Sequence, residues 1–327
     1  MTSAPPNPAG SAPGLVAEFD QTIHPTQEKI EILSVSLLDE HRSLVSELKQ
    51  MAKSLRIEFG WHYLLDLTWT IHSLGAVAGK TILEAGAGVG LLQWYLAQAG
   101  AQVLSVDRLS RQTLPVRYRN RFQARGLRAT DLDPDRRALA HGFTRPLPGP
   151  FYRRWAVRTL AFGRDLASYL PTRRSPGSVV IYNQDLTHLA DIPNDSLDAA
   201  VAISALEHND PQDLERIVQE ILRILRPGGL LLATLTAGRG QDWWHAASAG
   251  WCYTDTTLRR LFDLPEQTPS NYNRYDELFA ALKNCAELRD NLAHFYSQSQ
   301  DKGMPGGVWN PEYQPVGVLK IKKAAKG

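Results

Sequence analysis

Cysteine is scarce in this chain: Cys252 and Cys285 are the only two, far apart and with no metal-ligand spacing around either. A disulfide framework and a zinc site are both excluded by that pattern, and no metal is expected. No apolar stretch is long enough to span a bilayer. The first residues lack the basic-then-apolar pattern of a secretory signal, so the cytoplasm is the expected location. Residues 1–14, rich in Pro, Ser, Ala and Gly, offer little to bury and read as a disordered leader. Lysine is missing altogether from residues 108–174, although sixteen arginines fall there against four acidic residues (Asp131, Asp133, Asp135 and Asp165). The segment carries +12 in a chain of net +2, leaving −10 for the remainder. Such asymmetry speaks of partners, and arginine without lysine suits bidentate contact with phosphate or carboxylate.

What is present is most informative at Leu83-Glu84-Ala85-Gly86-Ala87-Gly88-Val89-Gly90. An apolar run from Thr81 to Leu83 enters it, and a helix-like run from Leu91 to Gln98 leaves it. Alternate glycines at a strand-to-helix turn let backbone approach a ligand closely. Seventeen residues after Gly90, a second apolar run from Val103 ends in Asp107, a carboxylate placed to accept hydrogen bonds from ribose hydroxyls. Together they indicate a nucleoside-containing cofactor. The dinucleotide fingerprint is not met, because the third glycine comes one residue early and Leu91 holds its place. Glu84 would also be costly beside a pyrophosphate but is tolerated beside a cationic amino-acid end.

At these residues the chain resembles the class I S-adenosylmethionine-dependent methyltransferases of small-molecule type, whose first motif reads acidic-x-Gly-x-Gly-x-Gly. The likeness continues in the family's order through a third strand at Val179–Tyr182, followed by Asp185-Leu186. A fourth strand at Ala199–Ile203 comes next, leading into Ser204-Ala205-Leu206-Glu207-His208. A helix over Asp213–Leu225, with apolar residues at helical period, is stopped by Arg226-Pro227-Gly228-Gly229 before a fifth strand at Leu230–Leu235. The resemblance implies S-adenosyl-L-methionine as cofactor. It implies a cofactor-binding set of Glu84, Gly86, Ala87, Gly88, Gly90, Asp107, Asp185, Leu186 and Ser204, with Asp185 on the adenine amino group. It also implies an α/β fold: a doubly wound Rossmann-like sheet whose final strand, at Pro315–Ile321, is antiparallel. The expected organisation is a helical N-terminal cap over 15–78 and a methyltransferase domain over 79–327. An arginine-rich insertion at 108–175 interrupts that domain after its second strand.

In the cap, Thr26 is positioned to start a helix whose apolar residues Ile30, Leu33, Leu37, Leu44, Leu48, Met51 and Leu55 fall three, four or seven apart. Packing against the sheet is the expected use of that stripe, with a homodimer through it as the alternative; Glu40, His41 and Glu47 interrupt a strict heptad. The aromatic segment that follows places Trp61, His62 and Tyr63 against the cofactor or substrate pocket, or else anchors the helix to the core. Beyond the fifth strand, Trp243, Trp244, His245 and Tyr253 are expected as a pocket wall, favouring an apolar or sugar-like face of the substrate. Gly303–Gly307 is a loop that closes on the site or a simple turn.

Within the insertion, Phe151–Phe162 mixes aromatic and basic residues, and a helix there gathers Phe151, Trp155, Phe162, Leu166, Tyr169 and Leu170 on one face. Three readings follow. The first is a lid whose apolar face packs on the catalytic domain while its arginines stay solvated. The second is a grip on a small, anionic, phosphate-, sugar- or lipid-linked acceptor. The third is peripheral contact with an anionic membrane through 151–170. Nucleic acid is not expected as a partner. The chain has neither the Asn/Asp-Pro-Pro-aromatic motif of base-amino methyltransferases nor the Pro-Cys dipeptide of cytosine-carbon enzymes.

A sulfonium methyl is intrinsically activated, so the protein must align a nucleophile and exclude water. For O-methylation a base helps. His208, directly after the fourth strand, is the first choice; His245 and His62 are alternates, and Glu207 would orient base or cofactor. An amine or carbon acceptor removes the need for a base. Two other functions stand beside this one. An NAD-dependent oxidoreductase or epimerase is disfavoured by the glycine spacing and by the lack of a Tyr-x-x-x-Lys pair. A cofactor-binding interaction module without turnover is disfavoured by the intact motif.

Overall fold

The computed structural model of the chain describes residues 27–144, 150–170, 174–298 and 303–324. The expected leader at 1–14 and the capping residue Thr26 lie outside them. Among the described residues ten strands form one sheet: β1 (Lys29–Ile32), β2 (Thr81–Ala85), β3 (Gln102–Asp107), β4 (Arg125–Gly126), β5 (Ser178–Asn183), β6 (Leu197–Ile203), β7 (Leu225–Ala237), β8 (Trp243–His245), β9 (Gly250–Tyr253) and β10 (Gln314–Ile321). The main path runs β1-β10-β7-β6-β2-β3-β5-β4. From β7 to β4 all neighbours are parallel, and β10 runs antiparallel to both β7 and β1. The fold is therefore the expected doubly wound α/β sheet with an antiparallel final strand.

Alternation within the buried strands sends side chains into two apolar layers. Ile82 packs into the layer containing α1 (Leu37–Glu40), α2 (Arg42–Leu55), α3 (Tyr63–Leu74) and α4 (Leu92–Gln98), whereas Leu83 and Ala85 face the opposite layer. Chain order reverses around β2, which pairs with β3 on one side and β6 on the other. That switch point opens a crevice at the carboxyl ends of the strands, where ligands of such sheets bind.

Two local expectations need correction. The cap does not begin as a helix: Lys29–Ile32 is a strand on β10, with Ile30 and Ile32 buried and Lys29 and Glu31 half-buried. Lys-Ile-Glu-Ile has period two as well as matching the helical stripe at Ile30, and the open edge of β10 decides between them. Helix α2 then buries Leu44, Val45, Leu48, Met51, Ala52 and Leu55, so the stripe a coiled coil would use is covered within the chain. The second correction concerns Arg226–Gly229. Helix α8 (Pro211–Ile224) ends one residue earlier than expected, and the four residues lie inside β7. The β6–β7 register slips between Leu197↔Leu225 and Ala199↔Leu230, with Gly228 at φ 78°, so the turn is taken up as an irregularity of one long strand.

The sheet's other glycine of consequence is Gly317 in β10, where an added Cβ would meet the Trp69 indole of α3 at 2.5–2.7 Å. Trp69 is buried there and donates Nε1–H to Glu31 at 2.8 Å, tying the cap to the edge of the sheet. After β7, the β8–β9 hairpin joins the end of that strand through Thr236↔Cys252. Helices α9 (Asp255–Leu261), α10 (Tyr275–Lys283), α11 (Ala286–Asp290) and α12 (His294–Gln298) follow. Among the described residues no helix is long and apolar enough to cross a membrane.

The insertion comprises α5 (Val116–Arg121), β4, α6 (Asp135–Thr144) and α7 (Phe151–Ala167). Several of its arginines hold it together. Arg119 donates to the carbonyls of Leu114 and Gln112 at 2.7 and 2.8 Å, Arg117 Nη1 sits 3.0 Å from Asp165, and Arg128 pairs with Asp131. The expected packing of its helix is inverted. Phe151, Tyr152, Trp155 and Leu166 are exposed, and the one fully buried residue of α7 is Asp165. An apolar-face-inward lid is thus contradicted: the polar side of α7, anchored by Arg117–Asp165, is the side that packs.

Candidate active site

The glycine loop is built by backbone geometry. Gly86 and Ala87 donate their N–H groups to the carbonyl of Val106 (2.9 and 3.1 Å), joining the end of β2 to the end of β3. Gly86 has φ 69°, and a Cβ there would lie 2.5 Å from that of Ala205, so the loop passes directly against the turn after β6. Gly88 (φ 48°) donates to Asp107 Oδ2 at 2.7 Å, and Leu109 donates to Oδ1 at 2.7 Å. Gly90 closes the turn onto the Ala87 carbonyl at 2.9 Å. Gly86, Ala87, Gly88, Gly90 and Asp107 therefore lie together at the switch point.

Glu84 is buried beneath this loop, and its Oε2 has no hydrogen-bond partner. Burial pushes its carboxyl up to about 8; Arg111 pulls it down and Asp107 adds to the rise. Arg111 was not singled out by the sequence. It is buried, donates to the carbonyls of Ser105 (2.9 Å) and Tyr182 (3.0 Å), and so bridges the ends of β3 and β5. As one of sixteen arginines in the insertion it carried no separating signal. Asp185 is exposed, its Oδ1 accepting from Thr187 N and Oγ1 at 2.9 and 2.7 Å, with Leu186 buried beside it. Asp198, at the start of β6, accepts from Thr81 N at 2.7 Å and pairs with Arg226.

At the end of β6 the chain turns through Ser204, held at φ 44° with its N–H on Thr234 O at 3.0 Å. Its hydroxyl donates to Glu207 Oε1 at 2.5 Å. Glu207 is buried with Oε2 unpartnered, and burial raises its carboxyl above the ordinary range. The Tyr63 phenol is raised by burial and by the neighbouring Glu207 and Asp66 carboxylates.

The three candidate histidines differ in surroundings. His208 is exposed, and its Nδ1 is committed to the Ala249 carbonyl at 2.8 Å, so it holds the approach to the β8–β9 hairpin. His245 is buried, with Nδ1 2.6 Å from Ser248 Oγ and Nε2 3.0 Å from Glu312 Oε2, so both nitrogens are used. His62 is buried at the start of α3. Its Nδ1 meets Asp66 Oδ2 at 2.6 Å, and Nε2 has only a long contact with the Tyr313 hydroxyl, 3.4 Å. Burial pushes the Asp66 carboxyl up and the His62 ring pulls it back; Asp66 Oδ1 has no partner. Asp66 stands four residues from His62 on one helix face, a spacing legible in sequence, whereas Tyr313 arrives from β10's approach 251 residues away.

Around His62 and Tyr313 the aromatic segments converge. Trp61 is buried with ring centroids 4.7 Å from His62 and 5.2 Å from Tyr313, and Tyr313 lies 5.0 Å from His245. Trp243 stacks edge-on with His245 at 5.5 Å, while Trp244 is exposed against Trp251 and Tyr253 is buried in the opposite apolar layer. Of the expected aromatic wall, Trp243 joins this cluster; neither Trp244 nor Tyr253 makes a ring contact with it. Met304 is buried, and a Cβ on Gly303 would lie 3.7 Å from His245, so the described end of that loop packs on the cluster.

A separate cavity of about 860 Å³ lies between the end of α2, the glycine loop and the insertion. Val89 and Leu109 form its wall toward the glycine loop, and Lys53, Arg56, Arg117, Arg121, Arg158 and Arg164 bring positive charge to it. Among the described residues no cluster of His, Cys, Asp or Glu is arranged to hold a metal ion.

Comparison with known proteins matches residues 61–264 to a family model described as a methyltransferase domain. A search of curated proteins found no match. The 1,6-didemethyltoxoflavin-N1-methyltransferase of Burkholderia thailandensis, solved with 1,6-didemethyltoxoflavin and S-adenosylhomocysteine bound, is similar at 14% identity. That match covers 95% of this chain and 98% of the other, with a TM-score of 0.41. Magnesium protoporphyrin IX methyltransferase of Synechocystis PCC 6803, solved with bound S-adenosylmethionine, is similar at 10% identity over 88% and 85% of the two chains, TM-score 0.36. Nothing about this chain's acceptor follows from either likeness. The family match spans well over half of the sequence and contains both the glycine loop and the turn after β6: the chain belongs to the methyltransferase-domain family.

Proposed function

We propose that this methyltransferase moves the methyl group of S-adenosyl-L-methionine to a hydroxyl of a small, anionic acceptor, with His62 as the base. The cofactor's site fits the residues present. Glu84 offers a buried, unpartnered carboxylate oxygen to the cofactor's cationic amino-acid end. Asp107 holds the glycine loop now and faces the ribose position, Asp185 and Leu186 take the adenine side, and Ser204 lines the methionyl end. When bound, the cofactor supplies an electrophilic methyl on a sulfonium centre.

The observation that carries the acceptor chemistry is the buried His62–Asp66 pair. Asp66 fixes the ring through Nδ1, which leaves Nε2 as the proton-accepting nitrogen, and its contact with Tyr313 is long enough for an acceptor hydroxyl to replace. As the acceptor oxygen attacks, Nε2 takes its proton and the imidazolium is stabilised by the Asp66 carboxylate. The surrounding Trp61, Tyr63 and Tyr313 rings exclude water and align the nucleophile. Neither His208 nor His245 is as well suited, since the first faces solvent and the second has both nitrogens occupied. Neither His62 nor Tyr313 lines the separate 860 Å³ cavity, so its cationic lining supports an anionic acceptor only as the seat of a part of the molecule remote from the reacting hydroxyl.

The test is a methyl-transfer screen with radiolabelled S-adenosylmethionine against phosphorylated, nucleotide-linked and neutral versions of the same hydroxylated small molecules. Transfer to the anionic series, lost in His62→Asn with S-adenosylhomocysteine affinity unchanged, is expected. Undiminished turnover in His62→Asn, or a preference for neutral acceptors, contradicts the proposal.

A further inference from the structure

Helix α7 turns the wrong side outward for a protein-packed helix. At about 100° per residue, Phe151, Tyr152, Trp155, Phe162 and Leu166 fall within one arc of about 100°. All five charged residues fall outside it: Arg158, Asp165 and Arg154 lie about 20–60° beyond its Phe151 edge, and Arg153 and Arg164 lie opposite it. Phe162 is half-buried against Phe143 of α6 (ring centroids 4.9 Å). The rest of the arc faces solvent: Phe151 is 73% exposed, Tyr152 75%, Trp155 58% and Leu166 46%, and Leu170 just beyond the helix is 65% exposed. Large aromatic and aliphatic side chains concentrated on one exposed helix face mark an interaction surface.

Charge identifies what would cover it. The helix's one acidic residue, Asp165, is buried against Arg117, so the outward surface of α7 carries no negative charge. Exposed Arg153 and Arg164 lie on the side of α7 opposite the arc, exposed Arg136 and Arg137 stand on the neighbouring helix α6, and the whole segment from 108 to 174 carries +12. An uncharged arc containing Trp, Tyr, Phe and Leu, flanked by arginines, suits a helix lying in the headgroup region of an anionic bilayer. Another side of α7 lines the cationic cavity through Val157, Arg158 and Ala161, so the helix would sit between lipid and that cavity.

We propose that α7 docks the protein peripherally on an anionic membrane surface, with Phe151, Tyr152, Trp155 and Leu166 in the interface and the arginines on the headgroups. The full chain is mixed with vesicles of phosphatidylcholine alone, or of equal phosphatidylcholine and phosphatidylglycerol, and centrifuged. Sedimentation with the phosphatidylglycerol vesicles and not with phosphatidylcholine alone is expected, weakening as salt is raised. Trp155→Asp/Leu166→Asp should lower the partition coefficient at least about tenfold while leaving the thermal melt unchanged, because both side chains are exposed. Arg136→Ala/Arg137→Ala should weaken binding to the anionic vesicles only. Absence of binding to phosphatidylglycerol vesicles, or equal binding by the Trp155/Leu166 variant, overturns the proposal. A wild-type dimer in light scattering that becomes monomeric in that variant, with no vesicle binding by either, overturns it in favour of a second copy covering the face.

Discussion

Replacing Glu84 by Gln should stabilise the cofactor-free protein while weakening its hold on the cofactor. The carboxyl is fully buried and titrates at about 8 in the folded chain, against an ordinary 4.5. A raised folded-state value means that the native state holds its proton while the unfolded chain has released it. This group's contribution therefore lowers stability as pH rises from 4.5 to about 8 and is constant beyond. At about 1.4 kcal/mol per pH unit, the cost is about 3 kcal/mol at pH 7 and about 5 kcal/mol above pH 8. Glutamine keeps the shape and removes the ionisation, so Glu84→Gln should raise the melting temperature at pH 7 by roughly 6 °C in a chain of this size. It should also flatten the decline of stability between pH 5 and 8. Binding moves the other way. Because the cationic amino group favours ionised Glu84, wild-type affinity for S-adenosylhomocysteine should rise from pH 6 to 8 with release of a proton. Glu84→Gln should lose about 10–100-fold in affinity together with that pH dependence. Thermal melts and calorimetric titrations across this range decide the matter. A variant that melts lower than wild type at pH 7, or binds with undiminished affinity and the same pH dependence, refutes the reasoning.

Other outcomes follow from the same geometry. His62→Asn and Asp66→Asn should each lower kcat by about 10²–10⁴ on a hydroxyl acceptor, with S-adenosylhomocysteine affinity within twofold of wild type. His208→Ala should keep turnover near wild type, because its ring is exposed and committed to Ala249; rates measured on one acceptor compare all three. Gly317→Ala drives a methyl into the Trp69 indole and should destabilise by about 1–3 kcal/mol in denaturant melts, with no change if Trp69 can swing aside freely. Gly86→Ala combines φ 69° with a contact to Ala205; it should abolish cofactor binding in calorimetry even where circular dichroism shows the fold retained.

Much of this was legible in the sequence because it depends on local order. The glycine loop, Asp107 and the turn after β6 announce themselves by backbone needs that glycine or a strand-end carboxylate must meet within a few residues. The parallel core could be ordered because its strands are short apolar runs separated by helical periods. Lys29–Ile32 was misread because its residues satisfy two periods and only the distant edge of β10 chooses between them. The proposed base was hard to read for a related reason. His208 is next to the fourth strand in sequence, but what distinguishes His62 is burial and the approach of Tyr313 from the far end of the chain. For α7 the amphipathic pattern was read correctly, yet periodicity says which residues share a face and not which way that face points. The Arg117–Asp165 pair, formed across the insertion, sets the direction.

The most direct test of the central claim is calorimetric titration of the purified protein with S-adenosylhomocysteine, with NAD as control and Gly88→Arg beside it. The account predicts binding of S-adenosylhomocysteine in the micromolar range, none of NAD, and loss of binding when the side chain of Gly88→Arg fills the loop beside Asp107. Failure of the wild-type protein to bind S-adenosylhomocysteine, or binding of NAD in its place, would contradict it.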